Sequence, residues 1–304
     1  MNPRAFWNLL KATLGEWWND NPFRLAASLA FYTIFSLAPT LVFAVAIAGL
    51  VFSEDQARTQ IARQLGELIG GEGGKAIAQV LKESRGIGGN PTAVFLSLFT
   101  LILGSTAVFA ELQSALNLIW DIEVKPGRSM IKGFLRDRIL SFAIVLAVGF
   151  LLLVSLLVSA ALSAIQTYMQ SRMGSFPWVW QIVNLVVSIG IATLLFGMIY
   201  KYLPDVKITW KDVGVGAAVT SLLFSIGKFL IGLYLGRTAV ASMYGAAGSF
   251  VILLFWVYYS ALICFFGAEF TQVYARRYGS QIRPQDHAFR VGRKPNEREP
   301  VHTS

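Results

Sequence analysis

Long runs without a charged residue dominate the pattern of hydrophobic and polar positions in this chain. Asp, Glu, Lys and Arg are absent from several long stretches, among them 25–53, 86–110, 139–171 and 173–200. A helix needs about 20 mostly apolar residues to cross a bilayer, and these stretches exceed that length. The pattern therefore predicts an all-α, polytopic membrane protein with six transmembrane helices, at about 28–52, 92–118, 139–165, 179–201, 213–236 and 247–271.

Helical periodicity also marks the polar lead, residues 1–27, which precedes the first span. Its large apolar side chains recur at helical spacing, and they include tryptophans, which favour the lipid headgroup level. They are Phe6, Leu9, Leu10, Leu14, Trp17 and Trp18. We expect a cytoplasmic amphipathic helix on the inner membrane surface. The first span is too long for the apolar region of a signal peptide, so we expect it to be retained.

The loop 53–91 between the first two spans carries two shorter helical patterns. Apolar positions at i, i+4, i+7 and i+8 in its first half predict one helix, and "GGEGG" at 70–74 interrupts it before a second begins. These helices are expected to lie over the outer mouth of the bundle, as a lid or as a packed connector. The transmembrane domain thus covers 28–276. The tail 277–304 is polar and proline-containing, which predicts a disordered basic cytoplasmic segment.

The distribution of basic residues predicts the orientation. Eighteen Lys and Arg fall in the lead, the second and fourth loops and the tail, against seven on the other side. Cytoplasmic loops carry the excess of such residues, so both termini should face the cytoplasm. The net charge of +9 is mostly this topology signal. It would also attract anionic lipid headgroups to the cytoplasmic face, by about 1 kcal/mol per basic residue.

Composition excludes most soluble functions. The chain is 55% hydrophobic and only 14% charged, whereas soluble domains carry roughly 25% charged residues. Both histidines, His287 and His302, lie in the tail, and no phosphate-cradling loop or metal-ligand cluster is apparent. The single Cys264 excludes an intramolecular disulfide. The sequence therefore predicts no cofactor, no nucleic-acid partner and no enzyme activity.

Three ionisable residues interrupt the apolar spans and are candidates for function. They are Glu111 in the second span, Lys228 in the fifth and Glu269 near the end of the sixth. Such residues are costly in a bilayer and usually face the bundle interior or water. Lys228 has the alternative of extending its flexible side chain to the interface, and Glu269 is expected close to the boundary with water. Glu111 is then the buried acid.

Two stripes of small and polar residues accompany these candidates. Glu111 and Ser114 continue a stripe along the second span, with Asn117 beside it, and Tyr32 and Ser36 belong to a stripe in the first. Pro39 adjoins the latter and frees a backbone carbonyl. Such stripes either form tight seams between helices or line a hydrated cavity. The candidate pathway residues are Tyr32, Ser36, Pro39, Glu111, Ser114, Asn117, Lys228 and Glu269.

Four segments resemble the YihY/BrkB family of bacterial inner-membrane proteins. They are "AASLAFYTIFSLAP" at 26–39, "ELQSALNLIWDIE" at 111–123, "YKYLPDVKITWKDVGVGA" at 200–217 and "YGAAGSFVILLFWVYYSALICFFGAEF" at 244–270. The resemblance covers about 10 to 278 and implies six spans in the bacterial inner membrane. The family's recurring polar positions fall on Ser36, Pro39, Glu111, Asn117, Pro204, Gly248 and Glu269. An old ribonuclease label on some members has no support in these residues.

These observations predict a transporter or flippase-like protein for an amphipathic or lipidic envelope molecule or a small solute. Glu111 would be its central acid. The sequence lacks an ATP-binding motif, so uphill work would use an ion gradient or a partner protein. The alternative is a non-transporting envelope-integrity scaffold or assembly factor, in which both stripes are packing seams. The expected partners are membrane lipids and the transported molecule. The oligomeric state stays open, a homo-oligomer included.

Overall fold

The computed structural model describes residues 3–48, 53–69, 71–83, 91–125, 177–237, 248–280 and 282–291. Nearly all of them are helical. The helices are α1 (Pro3–Asn19), α2 (Pro22–Ala48), α3 (Glu54–Ile69), α4 (Gly71–Glu83), α5 (Pro91–Ile119), α6 (Pro177–Tyr202), α7 (Trp210–Arg237) and α8 (Gly248–Arg277). The strands are β1 (Ile122–Val124), β2 (Val206–Lys207), β3 (Arg283–Pro284) and β4 (Ala288–Arg290).

The all-α membrane fold is confirmed. Among the described residues, three stretches are long and apolar enough to cross a bilayer: Trp178–Tyr202, Trp210–Ile231 and Phe250–Tyr278. Shorter apolar stretches lie in α2 and α5, at Pro22–Leu37 and Ala107–Ile119. The predicted span 139–165 lies outside the described residues, so the count of six remains a prediction.

The helices meet at seams of small residues. α2 packs against α5, and a Cβ at Gly104 would lie 2.9 Å from the Cβ of Ser36. Ser36 Oγ donates to the carbonyl of Thr33 at 3.0 Å, which satisfies the hydroxyl within its own helix. At this point the two stripes form a close helix–helix contact.

The seam between α7 and α8 is still tighter. A Cβ at Gly216 would overlap Thr271, and a Cβ at Gly267 would overlap Thr220. Tyr200 of α6 reaches the same seam and donates its hydroxyl to the carbonyl of Cys264 at 2.7 Å. Glycine is required here because a threonine side chain of the facing helix occupies the space that any larger side chain would need.

A polar clamp joins the start of α7 to the end of α8. Thr209 caps α7 by accepting the backbone N–H of Asp212 at 3.4 Å, and its hydroxyl donates to Asp212 Oδ2 at 2.8 Å. The same oxygen accepts hydrogen bonds from the backbone N–H and the hydroxyl of Ser280, at 3.0 and 2.7 Å. These hydrogen bonds fix the end of α8, the helix that carries Glu269.

The segment between α2 and α5 contains two helices, α3 and α4, which pack against each other; α3 also packs against α2, and α4 packs against α8. Their apolar faces join Ile252 and Leu253 of α8 in one core cluster. The close approach of Gly66 and Gly74 lets the two short helices cross. This packing fits the connector alternative for the loop.

The tail is ordered at 282–291, where it meets the bundle, which corrects for these residues the expectation of disorder across 277–304. β4 pairs antiparallel with β1, and β3 pairs antiparallel with β2. Ile282 and Ala288 are buried. A short strand that pairs with the edge of another needs few large apolar residues, so composition alone underestimates its order. We call residues 282–291 the C-terminal strap.

Candidate functional site

Two turns in left-handed backbone conformation place acids at one end of the bundle. Asn21 (φ 53°) lies between α1 and α2, and Asp121 (φ 55°) follows α5. Asn and Asp are the residues other than glycine that tolerate this region best. The first turn positions Asp20 and the second positions the carboxylate of Asp121, both beside the last turns of α8.

Asp121 joins three elements of the structure. Its Oδ2 forms an ion pair with Arg276 and accepts a hydrogen bond from Gln272 Nε2 at 3.3 Å, both on α8. Its carbonyl accepts the N–H of Val291, in the strap, at 2.9 Å. The end of α5, the end of α8 and the strap therefore share this one residue.

Glu269 lies beside this ion pair and is completely buried. Its carboxyl interacts electrostatically with those of Asp20 and Asp121 and with the guanidinium of Arg276. It shares a side-chain hydrogen-bond contact with the carboxyl of Asp20, and its oxygens have no other hydrogen-bond partner among the residues that the structure describes. We call Asp20, Asp121 and Glu269 the acidic cluster.

The burial of Glu269 corrects the expectation that it lies at the boundary with water. α1 packs across the end of α8, with Leu9 against Phe270 and Val273. Trp17 meets the ring of Phe266 edge-on, with centroids 6.0 Å apart. Position along α8 alone would leave Glu269 near solvent, but the amphipathic lead covers it.

The environment of Asp20 favours its protonated form. Burial, and then the nearby Asp121 carboxylate, raise the pKa of Asp20 to about 7, against the opposing effects of Glu269 and Arg276. Asp20 lies in the turn before α2, outside the membrane-spanning stretches. It is therefore a carboxyl that changes charge in the physiological range.

The raised pKa of Asp20 predicts a specific pH dependence of stability. The folded protein binds the proton more tightly than the unfolded chain, so this contribution is full below about pH 4 and is lost as pH rises to about 7. Asp20→Asn should raise the thermal midpoint in detergent at about pH 8, by roughly 2–4 °C per kcal/mol recovered. The difference from wild type should vanish below about pH 4. An equal shift at both pH values would contradict the assignment.

A second polar group surrounds Asp205, in the loop between α6 and α7. Its Oδ2 accepts Nδ2 of Asn117 at 3.0 Å and Nε2 of Gln113 at 3.2 Å, both from α5. Its Oδ1 lies 2.8 Å from Nε2 of His287 in the strap. Its N–H donates to Asn117 Oδ1 at 2.8 Å. This nearly buried carboxylate holds α5, the loop and the strap together.

A cavity of about 650 Å³ lies between the acidic cluster and the polar group around Asp205. Its described lining contains four acids and no Lys or Arg. The acids and amides are Asp20, Asp121, Glu123, Asp205, Gln113 and Asn117, and the others are Ala110, Ser114, Leu118, Ile122, Val124 and Val291. A cavity of this size accommodates a small organic ligand, and its charge favours a cation.

The structure distributes the predicted pathway residues over different environments. Ser114 and Asn117 line the cavity. Glu111 is partly exposed and does not line the cavity, and its side chain makes no hydrogen bond with a described residue. Ser36 lies in the seam, and Tyr32 is 38% exposed. Lys228 is partly buried on α7. The side chain of Pro39 lies outside the described part.

The sequence analysis missed four residues that the structure brings to the site: Asp20, Asp121, Asp205 and His287. The first three lie outside the predicted spans, in "DNP", "WDIE" and "LPDV". Each of these acids stands in a turn next to a helix end, which was the available signal. Only the fold shows that these turns meet.

Comparison with known proteins identifies the family. The family model described as virulence factor BrkB matches residues 13–291. The chain belongs to the BrkB family. Its BrkB relatives include UPF0761 membrane proteins of Psychrobacter sp. (strain PRwf-1), 22% identical over 92% of this chain, and of Rhodospirillum centenum (strain ATCC 51521 / SW), 26% identical over 86%. Another, from Ralstonia nicotianae (strain ATCC BAA-1114 / GMI1000), is 26% identical over 81%.

The chain spans about half the length of the curated BrkB relatives it matches, covering 51%, 56% and 54% of these three. No solved structure matches it. The family match and the apolar helices together show an integral membrane protein.

Proposed function

We propose that this BrkB protein is a membrane transporter whose acidic cavity receives an amine-bearing molecule, either a small solute or an amphipathic lipid. The observation that carries the proposal is the cavity of about 650 Å³ with its four carboxyl groups. The proposal is independent of Glu111, which lies off this cavity.

The electrostatics of the lining support a cationic ligand. Asp121 and Asp205 are already stabilised by the protein, the first by Arg276 and the second by hydrogen bonds. The exposed Glu123 adds negative charge to the same space, and Asp20 adds more once the pH rises above its pKa of about 7. A bound ammonium group would complement this charge, whereas a phosphate or carboxylate group would be repelled.

The orientation of the cavity follows from the positive-inside prediction. The cavity lies at the end of the bundle where α2 begins and α5 and α8 finish. If the termini face the cytoplasm of a bacterial inner membrane, the cavity faces the cytoplasm too. Transport would then start or finish there and would draw on an ion gradient or a partner protein.

Binding of 1,4-diaminobutane to the purified protein tests the proposal. A ligand that binds only the folded protein raises its thermal midpoint by mass action, so the diamine should stabilise the protein while the neutral 1,4-butanediol should not. Glu123→Gln should weaken the effect several-fold. Asp286→Asn removes the same charge from an exposed strap residue outside the lining and is the matched control. Equal stabilisation by diamine and diol would exclude a cation site.

Reconstituted vesicles separate the two sources of the amine. Uptake of radiolabelled 1,4-diaminobutane would identify a solute transporter. Transbilayer movement of a fluorescent aminophospholipid, measured by quenching from outside, would identify a lipid transporter. Movement of neither compound in vesicles that contain folded protein would contradict transport of an amine.

The second candidate function, a non-transporting scaffold or assembly factor, is favoured by the closed seams. Ser36 meets Gly104 directly, and the contacts of Gly216 and Gly267 leave no space between α7 and α8. Under this alternative the cavity would be a structural void, and the Glu123→Gln variant would behave as wild type in both assays.

A further inference from the structure

We propose that Glu269 is a proton-exchange carboxyl, which passes its proton through Asp20 to the acidic cavity. The proton site itself rests on the geometry of the acidic cluster. Its role in coupling a proton gradient to transport deepens the proposed function and rests on it.

Burial requires Glu269 to be neutral in this conformation. The side chain is completely buried, and apart from its contact with the carboxyl of Asp20, its oxygens have no hydrogen-bond partner among the described residues. An ionised carboxylate in such a place costs several kcal/mol unless it is paired. A proton bound to the carboxylate neutralises it and removes that cost without a neighbouring cation.

The charges around Glu269 point the same way. The groups that interact with it are the carboxyls of Asp20, from the α1–α2 turn, and Asp121, from the end of α5, with Arg276 from its own helix. Arg276 is already engaged with Asp121. Three carboxylates against one guanidinium would leave two excess negative charges in a poorly solvated space, and a proton on Glu269 removes one.

The acidic cluster is better suited to bind a proton than a metal ion. Among the described residues, no group of three His, Cys, Asp or Glu side chains is arranged to hold a metal. A proton needs only one oxygen. The buried carboxyl of Glu269, which contacts Asp20 and has no other hydrogen-bond partner among the described residues, provides it.

Asp20 connects the buried proton to the cavity. It interacts with Glu269 and also lines the cavity, whereas Glu269 does not line it. In the exchange step, the O–H bond of Glu269 breaks and its proton adds to the carboxylate of Asp20. Asp20 then releases a proton to cavity water, which becomes hydronium. One negative charge remains on Glu269, which shares the guanidinium of Arg276 with Asp121, and the reverse sequence restores the neutral acid.

Infrared difference spectroscopy of the purified protein tests the site without any substrate. Between about pH 5 and about pH 10, the range in which buried carboxyls titrate, wild type should lose two carboxylic acid C=O bands. Glu269→Gln should lack one of them and Asp20→Asn the other. Of these two bands, labelling wild type with ¹³C-glutamate should shift the Glu269 band and leave the Asp20 band in place, which removes any dependence on the folding of the variant. Absence of a shifted band would overturn the proposal.

The kinetics of exchange test the relay through Asp20. After a rapid pH jump, the Glu269 band of Asp20→Asn should disappear at least several-fold more slowly than in wild type, because the route to the cavity is interrupted. Asp286→Asn, which changes an exposed carboxylate, should exchange at the wild-type rate. An unchanged rate in Asp20→Asn would overturn the relay.

Uptake in vesicles then separates this proposal from the proposed function. If wild type accumulates 1,4-diaminobutane only under a pH gradient and Glu269→Gln loses that dependence, the coupling role is supported. A gradient response that persists in Glu269→Gln would overturn coupling. If the Glu269 band is confirmed but the diamine does not bind, an amine-bearing substrate is excluded while the proton site is still supported.

Discussion

Replacing Asp205 with alanine should cost the protein about 4 kcal/mol or more of its free energy of unfolding, because hydrogen bonds to a charged group contribute about 1.5–3 kcal/mol each. The carboxylate binds three side chains, Asn117, Gln113 and His287, and is almost fully buried. Their donors would be left facing a cavity without an acceptor. The measurements are the thermal midpoint in detergent and the rate of proteolysis within the C-terminal strap, which should rise at least tenfold.

Asp286→Ala is the matched control for Asp205→Ala. Asp286 lies in the same strap and pairs with Lys207 at 2.7 Å, but both side chains are exposed, and exposed pairs contribute little. The Lys207 ammonium group lowers the pKa of Asp286, so the residue is charged under the same conditions. Similar proteolysis of both variants would show that the strap is held by its strand pairing alone.

The apolar spans and the lead were the parts of the fold that sequence could predict. The charge-free stretches place α6, α7 and α8 within a few residues, because the bilayer demands about 20 apolar positions. The periodicity of the lead predicts α1 and its apolar face. It could not show that Leu9 packs on Phe270, because a helix on the membrane surface and a helix on the protein require the same pattern.

The candidate site was less predictable, because its residues come from turns. Glu111 attracted attention as an acid within an apolar run, yet the structure leaves it partly exposed and away from the cavity. Asp205 stands only one residue after Pro204, within a segment that the family resemblance already covered. Its importance arises from contacts with Asn117 and His287, which lie 88 and 82 residues away in the chain.

The position of Glu269 shows why depth along a helix is a poor guide to burial. Counting residues places it near the end of the last span, where water would be expected. The burial of Glu269 depends instead on α1 and on the turn that contains Asp20. The sequence of α8 gives no information about either of these elements. The order of the C-terminal strap was likewise not predictable from its own residues, because it depends on pairing with the edge of β1.

The Asp205 group and the acidic cluster have different physical roles, because their polar atoms differ in how completely they are hydrogen-bonded or paired with a cation. The Asp205 group has a partner for both carboxylate oxygens and for the backbone N–H, and such networks specify one rigid arrangement. The acidic cluster has more carboxyls than cations, and apart from the carboxyl of Asp20, Glu269 has no hydrogen-bond partner among the described residues. The first group is suited to holding the strap in place, and the second to changing its protonation state.

Arg276→Met should destabilise the protein by about 3–5 kcal/mol, the range observed when one partner of a buried ion pair is removed. Asp121 would keep its charge in a nearly buried position without the guanidinium, beside Asp20 and Glu269. The loss should be largest at high pH and should shrink in acid, where the carboxyls bind protons and no longer repel one another. Thermal unfolding across this pH range measures it.

The double variant Arg276→Met/Asp121→Asn decides whether charge or packing causes this loss. Asparagine tolerates the left-handed backbone at position 121 and can still accept the hydrogen bond from Gln272, so it removes the charge with little other change. If the unpaired carboxylate is the cause, the double variant should recover more than half of the lost stability, and its pH dependence should flatten. If instead the packing of the Arg276 side chain is what matters, the double variant will be no more stable than Arg276→Met. That result would also remove the electrostatic basis for a proton on Glu269, because both inferences treat this cluster as a region where excess negative charge is costly.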